Sequence, residues 1–312
     1  MGILYSKKYL NIFFAAFFLL LQINLNATTQ NDVFYNQKTI KPAVVSSRII
    51  PWKLALVSGS VLSVYGVSYF LVFGKSWWGT EPQPFHFEND FEYALNLDKL
   101  GHLYSGILMG EFFYDGLIWS GLSHIPARIF AGGFASLTHV GIDIKDGLGP
   151  WGYSIWDVIA GSVGGFWPYL KDICPLLEPL KFKATYWKHS QAYWNHQDKT
   201  IFTDDYVNWT YWLSFKTEWL FPKSARPYWP DWLYIAAGVS VDDIAVIEDD
   251  GINGSREYYV SLDVDLDGII KPKKYVYNRL LTYITTIKLP TPSIQIYPWE
   301  NRAIYLMYPL RF

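Results

Sequence analysis

Cysteine and charge are both scarce in this chain of 312 residues. Its single cysteine, Cys174, excludes an internal disulfide, and because nothing marks it as reactive we expect a buried structural thiol. Charged residues make up only 17% of the chain, and its formal net charge of −2 provides no electrostatic basis for nucleic-acid binding. The motifs of nucleophile-elbow hydrolases, phosphate-binding loops, HExxH zinc proteases and CxxC redox proteins are absent as well.

Aromatic residues are abundant instead. The chain has 15 Trp, 24 Tyr and 20 Phe, together 19% of its residues. Trp and Tyr combine an apolar ring with a polar tip, which suits the boundary between a membrane and water. Composition therefore predicts a protein at a membrane interface, with enough residues for one or two domains and a sizeable core.

The first segment has the pattern of an export signal. In residues 1–27 the basic pair Lys7 and Lys8 precedes an apolar run, which small and polar residues follow. We expect this signal peptide to be cleaved, with an uncleaved anchor helix as the alternative. The single cysteine, Cys174, lies far from its cleavage point, so a lipid anchor is not expected there. Residues 28–50 are polar and predict a linker.

An uncharged segment follows at residues 54–74. Its 21 residues could span a bilayer, but its Ser, Gly and Tyr residues equally suit a helix packed against other helices. Basic residues precede this segment and acidic residues follow it, which after a cleaved signal opposes the positive-inside rule. We therefore expect an exported protein, periplasmic or associated with the outer membrane, with the inner membrane as the alternative.

The pattern predicts an α+β protein. Helices expected at 97–122, 126–146 and 154–170 would form, with 54–74, a membrane-associated four-helix bundle within a domain at 51–175. The aromatic C-terminal region, 176–312, would hold a small antiparallel sheet. Its strands are expected at 233–241, 258–266, 293–297 and 303–312, with an amphipathic helix at 277–288.

Ionisable side chains within the apolar helices indicate a site. Such groups cost several kcal/mol unless they are paired, coordinated or hydrated. Asp98 and His102 are four residues apart, on one helix face. His102 could be a metal ligand or general base with Asp98 as its partner. Alternatively, Asp98 caps the helix and His102 is a satisfied core residue.

A second group lies near the end of the next helix. At about 100° per residue, His139, Asp143 and Asp146 fall within about 60° of one another. Carboxylates late in a helix oppose its dipole, so capping does not explain Asp146, although a turn at Asp146 and Gly147 would. Asp157 follows Ser154 by three residues, which is also typical of a capping box.

Other polar residues give weaker indications of a functional site. Glu111 and Asp115 lie on the opposite helix face from Asp98 and could line a second polar surface. His124 is expected in a solvated loop. The series Asp263, Asp265 and Asp267 resembles the start of a calcium loop, but Lys274 stands where such a loop needs Glu. A strand with these aspartates on its solvent face explains the series better.

Three blocks in order resemble the YfiM-like family of uncharacterised predicted periplasmic lipoproteins of Gram-negative bacteria. The blocks are Asp98-Lys99-x-x-His102, Asp143-x-x-Asp146-Gly147 and Gly152-Tyr153-Ser154-x-x-Asp157, and the similarity covers about residues 95–170. Asp143 stands where this family has Glu, Gly161 stands where Asn is frequent, and the lipoprotein cysteine is missing. The first block is also similar, over a shorter stretch, to VanZ-like membrane proteins. Neither resemblance implies a reaction.

Two functions follow as hypotheses, and they leave open whether the chain is an enzyme. In the first, Asp98, His102, Asp143, Asp146 and Asp157 converge as a structural or binding cluster of an envelope protein that contacts membrane or envelope lipid. In the second, the chain is a metal-dependent hydrolase of a lipid or lipid-linked substrate. A divalent Zn, Mg, Mn or Fe ion would then activate a water molecule. The expected ligands of that ion are His102, His139, Asp143 and Asp146.

The two hypotheses predict different surroundings for the carboxylates. If two or more carboxylates converge without partners, a metal ion is required to compensate their charge. If Lys99, Lys145, a helix N-terminus or backbone amides satisfy each of them, the cluster is structural.

Overall fold

The structure is a computed structural model that describes residues 48–67, 83–196, 202–247, 253–299 and 302–310. The predicted signal at 1–27, most of the predicted linker at 28–50 and the end of the segment 54–74 lie outside these residues. The α+β class is confirmed, since helices precede a six-stranded antiparallel sheet.

Four long helices occupy the first part of the described chain. They are α1 (Pro51–Val67), α2 (Leu97–Trp119), α3 (His124–Asp146) and α4 (Ile155–Ile173). The expected helices at 97–122, 126–146 and 154–170 are thus confirmed, with small shifts at their ends. Within the described ranges we find no helix that has both the length and the apolarity needed to cross a membrane. The membrane-associated four-helix bundle stays a prediction.

Glycine residues set the packing of α2 on α4. A Cβ atom on Gly106 would lie 2.2 Å from the Gly161 carbonyl oxygen, and one on Gly164 would lie 2.0 Å from the Leu103 carbonyl oxygen. The two backbones therefore touch, as the small-residue face of α4 predicts. Close packing of these helices fixes the positions of the ionisable residues that they carry.

The C-terminal region folds as an up-and-down meander in which each strand pairs with the next in sequence. Its strands are β1 (Leu180–Tyr186), β2 (Trp209–Lys216), β3 (Leu233–Val241), β4 (Arg256–Val264), β5 (Thr291–Tyr297) and β6 (Ala303–Tyr308). Its helices are α5 (Ala192–His196), α6 (Ile244–Ile247), α7 (Leu266–Ile269) and α8 (Tyr275–Ile284). Single 3₁₀ turns lie at Tyr93–Asn96, Pro175–Leu177, Phe202–Asp204, Tyr206–Asn208, Thr217–Leu220 and Arg226–Tyr228.

Four of these strands were expected, and β1 and β2 were not. In β2 the neighbouring residues Tyr211 and Trp212 are both buried, on opposite faces of the sheet. Because both faces of this strand are buried, its sequence lacks the alternation of apolar and polar residues from which a strand is predicted. The expected helix at 277–288 ends instead at Ile284, and Lys288 lies buried with its ammonium 4.5 Å from the centre of the Trp212 ring.

The prediction that Asp263 and Asp265 face solvent is wrong. Asp263 and Asp265 are both 0% exposed. The ammonium of buried Lys183, on β1, lies 2.7 Å from Asp263 Oδ2 and 3.1 Å from Asp265 Oδ2. Alternation shows which residues of a strand share a face, but it does not show which face becomes the interior. Here the polar face is the buried one.

Two smaller expectations also changed. Cys174 is half-buried, just after the end of α4, so the expectation of a buried thiol is wrong. The predicted boundary between 175 and 176 falls between α4 and β1, yet one apolar core crosses it. In that core Leu97 of α2 packs with Tyr206 and Tyr211 of the C-terminal region.

Candidate functional site

The site is built on the first turn of α2, which an unusual backbone precedes. Ala94, Leu95 and Asn96 have φ angles of 47°, 52° and 71°, in the left-handed region that side chains other than glycine's disfavour. Strain of this kind costs on the order of 1–3 kcal/mol per residue. Arg256 at the start of β4 compensates by donating to the Leu95 carbonyl oxygen at 2.9 Å and to the Asn96 side chain. The C-terminal region thus stabilises the start of α2.

This turn places Asp98 inside the helix. The N-cap position belongs to Asn96, so the alternative in which Asp98 caps the helix is wrong. As an acidic residue of the first turn, Asp98 still lies favourably in the field of the helix dipole.

Lys99 occupies the centre of a carboxylate cluster. Its ammonium lies 2.7 Å from Asp90 Oδ2, 2.7 Å from Asp98 Oδ2 and 2.6 Å from Asp157 Oδ1. The side chains of Lys99, Asp98 and Asp157 are only 9%, 10% and 9% exposed. We call Asp90, Asp98, Lys99, His102 and Asp157 the Lys99 cluster. It joins α2 to the start of α4 and to the segment before α2.

His102 lies at the outer edge of this cluster. Its Nε2 is 3.5 Å from Asp98 Oδ1 and 3.8 Å from Asp157 Oδ1, and its side chain is 22% exposed. The Tyr206 hydroxyl donates to Asp98 Oδ1 at 2.5 Å. A residue of the C-terminal region therefore closes the cluster on one side, while His102 faces partly outward.

Asp157 serves two purposes at the N-terminus of α4. Its backbone N–H donates to the Ser154 hydroxyl at 3.3 Å, so the capping interpretation of these two residues is confirmed. The Ser154 hydroxyl in turn donates to Asp90. Because the cap uses the backbone of Asp157, its side chain remains available for Lys99.

The cluster holds more carboxylates than cations, and burial shifts their pKa values apart. Burial and the neighbouring Asp98 charge raise the pKa of Asp157 to about 10. Burial also opposes ionisation of Asp98, but His102 and Lys99 outweigh it and keep its pKa below the usual range. Asp98 is therefore ionised at neutral pH while Asp157 holds a proton. Burial lowers the pKa of His102.

His139 packs against this cluster without belonging to it. Its ring centre is 5.4 Å from that of His102, its Nδ1 is 2.8 Å from the Ala135 carbonyl oxygen and its Nε2 is 3.0 Å from the Ser105 hydroxyl. Burial and the neighbouring His102 lower its pKa to about 4, so the ring is neutral at neutral pH. A Cβ atom on Gly161 would lie 2.2 Å from this ring, which explains glycine where the resembled family often has Asn.

Asp143 and Asp146 lie at the end of α3. Asp143 is 1% exposed, and its Oδ1 accepts from the Ser154 backbone N–H at 3.3 Å. No hydrogen-bond partner for its Oδ2 is found among the residues that the structure describes. Burial and the charge of Asp146 raise the pKa of Asp143 to about 8. Asp146 is half-buried and is the last residue of α3, and Gly147 follows it as the C-cap residue.

Among the residues that the structure describes, one group could hold a metal ion. Donor atoms of Asp98, His102 and Asp157 lie within 4.8 Å of one another, a separation that ligands of one ion can have. Of the four expected ligands, only His102 belongs to this group. His139, Asp143 and Asp146 lie outside the group. Asp98 and Asp157 belong to it because the N-terminal turns of α2 and α4 meet beside His102. The donor set fits a divalent cation, but the Lys99 ammonium lies between the two carboxylates.

A second polar cluster lies on the opposite face of α2. The Arg279 guanidinium of α8 contacts Glu111 and donates to Asp115 Oδ1 at 2.5 Å, and Arg128 of α3 donates to Glu111 Oε2 at 3.0 Å. The Tyr283 hydroxyl donates to Asp115 Oδ2 at 2.7 Å. We call these five residues the Arg279 cluster. The expected second polar surface is thus present, but the C-terminal region covers it.

His124 is not solvated, contrary to expectation. It is the first residue of α3 rather than a loop residue, and its side chain is only 16% exposed. Its Nε2 lies 3.0 Å from Asp172 Oδ2, and its Nδ1 lies 2.8 Å from the Tyr114 hydroxyl.

The residues that complete both clusters were missed because they are distant in sequence. Tyr206 and Arg256 contact residues 108 and 161 positions away, and Arg279 contacts Asp115 across 164 positions. An aromatic segment without periodicity contains Tyr206, and the short amphipathic helix contains Arg279. No local pattern connects these residues to α2.

Comparison with known proteins adds no family to this geometry. No family model, no curated protein and no solved structure matches the chain. The resemblance to the YfiM-like family, over about residues 95–170, stays a prediction.

Proposed function

We propose that the chain is a membrane-associated structural or binding protein of a bacterial cell envelope. In this proposal the Lys99 cluster joins the segment before α2 to α2 and α4, and Tyr206 links it to the C-terminal region. The observation that carries it is the position of the Lys99 ammonium, within 2.7 Å of carboxylate oxygens from three separate segments. A buried cation that contacts three segments is expected of a structural cluster.

The contacts around Lys99 support a structural role. Asp157 holds a proton at neutral pH, which reduces the excess of negative charge in the cluster, and Tyr206 donates to Asp98. Each of these contacts orients a different segment, so the cluster specifies how the segments meet. Removing one member of a buried ion pair typically costs about 3–5 kcal/mol, because the remaining charge stays buried and uncompensated.

Exposed apolar side chains support association with a membrane. On α3, Phe130 is 57% exposed and Leu137 is 66% exposed, and Ile159 of α4 is 45% exposed. Large exposed apolar surfaces mark sites of membrane or protein contact. The location in the cell envelope depends on the predicted signal at 1–27 and on the family resemblance.

The structural role is tested by comparing two lysine substitutions in protein purified with mild detergent. We expect Lys99→Met to lower the free energy of unfolding by about 3–5 kcal/mol, since it leaves buried carboxylates without their cation. Lys271→Met is the matched control. It removes an exposed pair with Asp231, whose loss costs at most about 1 kcal/mol. Equal stability of the two variants would contradict a structural role for the cluster.

The membrane and envelope parts are tested by fractionating cells that produce the full chain or a chain without residues 2–27. We expect the full chain in the envelope membrane fraction and the shortened chain inside the cell. Recovery of the full chain from the soluble cytosolic fraction would oppose the proposal.

A second candidate function is a metal-dependent hydrolase of a lipid or lipid-linked substrate. The observation that favours it is the convergence of Asp98, His102 and Asp157 donor atoms within 4.8 Å. These residues would hold a divalent ion, which supplies a water molecule of lowered pKa when it is bound. Lys99 would have to leave the space between the two carboxylates, where His102 offers the exposed side of the site.

Metal content separates the two candidates. The hydrolase predicts near-stoichiometric metal in the native protein, its loss in His102→Ala, and retention in the matched surface variant His86→Ala. The structural role predicts no stoichiometric metal in any of the three proteins, with stability that does not respond to a chelator.

A further inference from the structure

The outer face of the sheet is apolar and exposed. We define it by six side chains of β3 to β6: Ile235, Val260, Leu262, Ile294, Ile304 and Leu306. We propose that this outer sheet face contacts the hydrocarbon of a lipid bilayer. The inference rests on the proposed membrane association and deepens it, because it assigns the lipid contact to a surface outside the helices.

The strand register makes this face continuous. Val260 of β4 pairs with Ile294 of β5, and Ile294 pairs with Ile304 of β6. Their exposed fractions are 47%, 49% and 77%. Directly paired residues have neighbouring side chains on the same face, so the three form one row across three strands. Ile235 and Leu262 are likewise paired, one step further along the strands.

The opposite face of β3 to β6 is buried and combines polar groups with the aromatic side chains of Tyr259 and Tyr308. There Ser261 is paired with Ser293, whose hydroxyl donates to that of Ser261 at 2.7 Å, and Asp263 lies against Lys183. Antiparallel sheets of soluble proteins normally bury their apolar face and expose their polar face. The reversed order is that of strands which meet lipid on the outside.

Aromatic side chains lie at the two ends of these strands. Tyr258 and Tyr297 pack at 5.8 Å between ring centres near one end, with Trp299 just beyond them and 61% exposed. Trp232, which is 38% exposed, immediately precedes β3 at the other end. Trp and Tyr favour the boundary between hydrocarbon and headgroups, so their positions at both ends favour lipid as the occupant.

A protein partner fits this face less well. Protein interfaces typically form about one hydrogen bond per 100–200 Å². The six side chains that define the outer sheet face contain no hydrogen-bonding group. Aliphatic chains without such groups are complementary to acyl chains, which also have none.

The test places one fluorescent label at a time in full-length protein in phospholipid vesicles. Cys174→Ser removes the single native thiol, and cysteines are then introduced separately at Ile294, Ile304, Leu137 and Lys271. Leu137 on α3 reports the proposed membrane association, and Lys271 reports water. We expect labels at Ile294 and Ile304 to be quenched by nitroxide-labelled lipid, and several-fold less by iodide than the label at Lys271.

The controls separate the two proposals. If nitroxide-labelled lipid quenches the label at Leu137 but iodide quenches those at Ile294 and Ile304, the sheet inference is overturned and the proposed membrane association stands. If iodide quenches all four labels, the sheet inference and the proposed membrane association both fail. If the two sheet labels are shielded from both quenchers, protein covers the face, and the lipid inference is overturned in favour of a second copy or another partner.

Discussion

The two polar clusters lie on opposite faces of the same helix and differ in their charge balance. In the Arg279 cluster two guanidinium groups oppose Glu111 and Asp115, and the charges of Arg128 and Arg279 lower the pKa of Glu111 to about 2 despite its burial. In the Lys99 cluster one ammonium faces three carboxylates, and burial raises the pKa of Asp157 to about 10.

This difference separates two uses of buried charge. In the Arg279 cluster two guanidinium groups face Glu111 and Asp115, although burial raises the pKa of Asp115. In the Lys99 cluster a carboxyl group holds a proton at neutral pH, and the same position could hold a metal ion. Because His102 also leaves the Lys99 cluster partly exposed, that cluster is the better candidate for a function beyond structure.

The largest expected effect breaks the balanced cluster. Arg279→Met leaves Glu111 and Asp115 buried with Arg128 as the remaining cation, and we expect a loss of about 3–5 kcal/mol in unfolding free energy. Hydrogen exchange should show α8 released from α2. Arg302→Met is the matched control and should change stability little, because Arg302 is exposed just before β6, over the Trp299 ring. An Arg279→Met protein as stable as this control would oppose the interpretation.

The next prediction tests which carboxyl group of the Lys99 cluster holds the proton. Because Asp157 is protonated at neutral pH, an amide resembles its native form, and Asp157→Asn should cost less than about 1 kcal/mol. Asp98→Asn removes the charge opposite Lys99 and turns an amide toward it, which we expect to cost about 3 kcal/mol. Urea unfolding of both variants measures the difference. The reverse order of stabilities would mean that Asp98 holds the proton.

A smaller effect concerns the packing that brings both clusters together. Gly164→Ala places a methyl group 2.0 Å from the Leu103 carbonyl oxygen, so α2 and α4 must separate. We expect a loss of about 1–3 kcal/mol from overpacking. Gly133→Ala on α3 has nothing within 4 Å of the added carbon and should be neutral or stabilising. Equal thermal stability of the two variants would show that the helix contact is looser than described.

Counted per pH unit, the smallest effect is the dependence of stability on pH, and it has opposite signs for Asp143 and Glu111. Asp143, beside the Lys99 cluster, has a pKa of about 8 in the folded protein, above its ordinary value of about 3.9. The folded state therefore holds a proton that the unfolded chain releases. Stability should fall as pH rises between these values, by up to ~1.4 kcal/mol per pH unit.

In the Arg279 cluster, Glu111 should respond to acid. Glu111, whose folded pKa is about 2, contributes stability that is present above its unfolded pKa and lost as pH falls toward 2. Unfolding in urea across the pH range measures both slopes. Asp143→Asn should reduce the slope between about pH 4 and 8, where the protonated Asp157 also contributes, and Glu111→Gln should flatten the acid slope. If neither substitution changes its slope, these pKa shifts are assigned to the wrong residues.

Much of the helical part could be predicted because its information is local. Apolar periodicity, capping residues and glycines placed α2, α3 and α4 within a few residues of their observed ends. The spacing of four between Asp98 and His102 placed them on one face, and the structure brings Nε2 of His102 to 3.5 Å from Asp98. These features depend on the geometry of a single helix, so they can be predicted without knowing which elements the helix contacts.

The composition of the site could not be predicted in the same way. Asp157 was expected among five converging residues, but Asp90 and Tyr206 were not, and Asp143 and His139 proved to have partners of their own. Residue spacing within one helix does not predict which other helix will place its N-terminus against that helix. Lys99 was recognised only as one possible partner, and its central position arises from the contact of α2 with α4.

Residue order and chemistry alone established the α+β class, the positions of the main helices and the unusual number of ionisable residues in apolar helices between residues 98 and 157. Folding was needed to establish that the polar face of the sheet lies inside, that a lysine occupies the centre of the carboxylates, and that the C-terminal region completes both clusters. The physical reason is the range of the interactions. Periodicity and capping act over a few residues, whereas burial and ion pairing depend on contacts between segments more than one hundred positions apart.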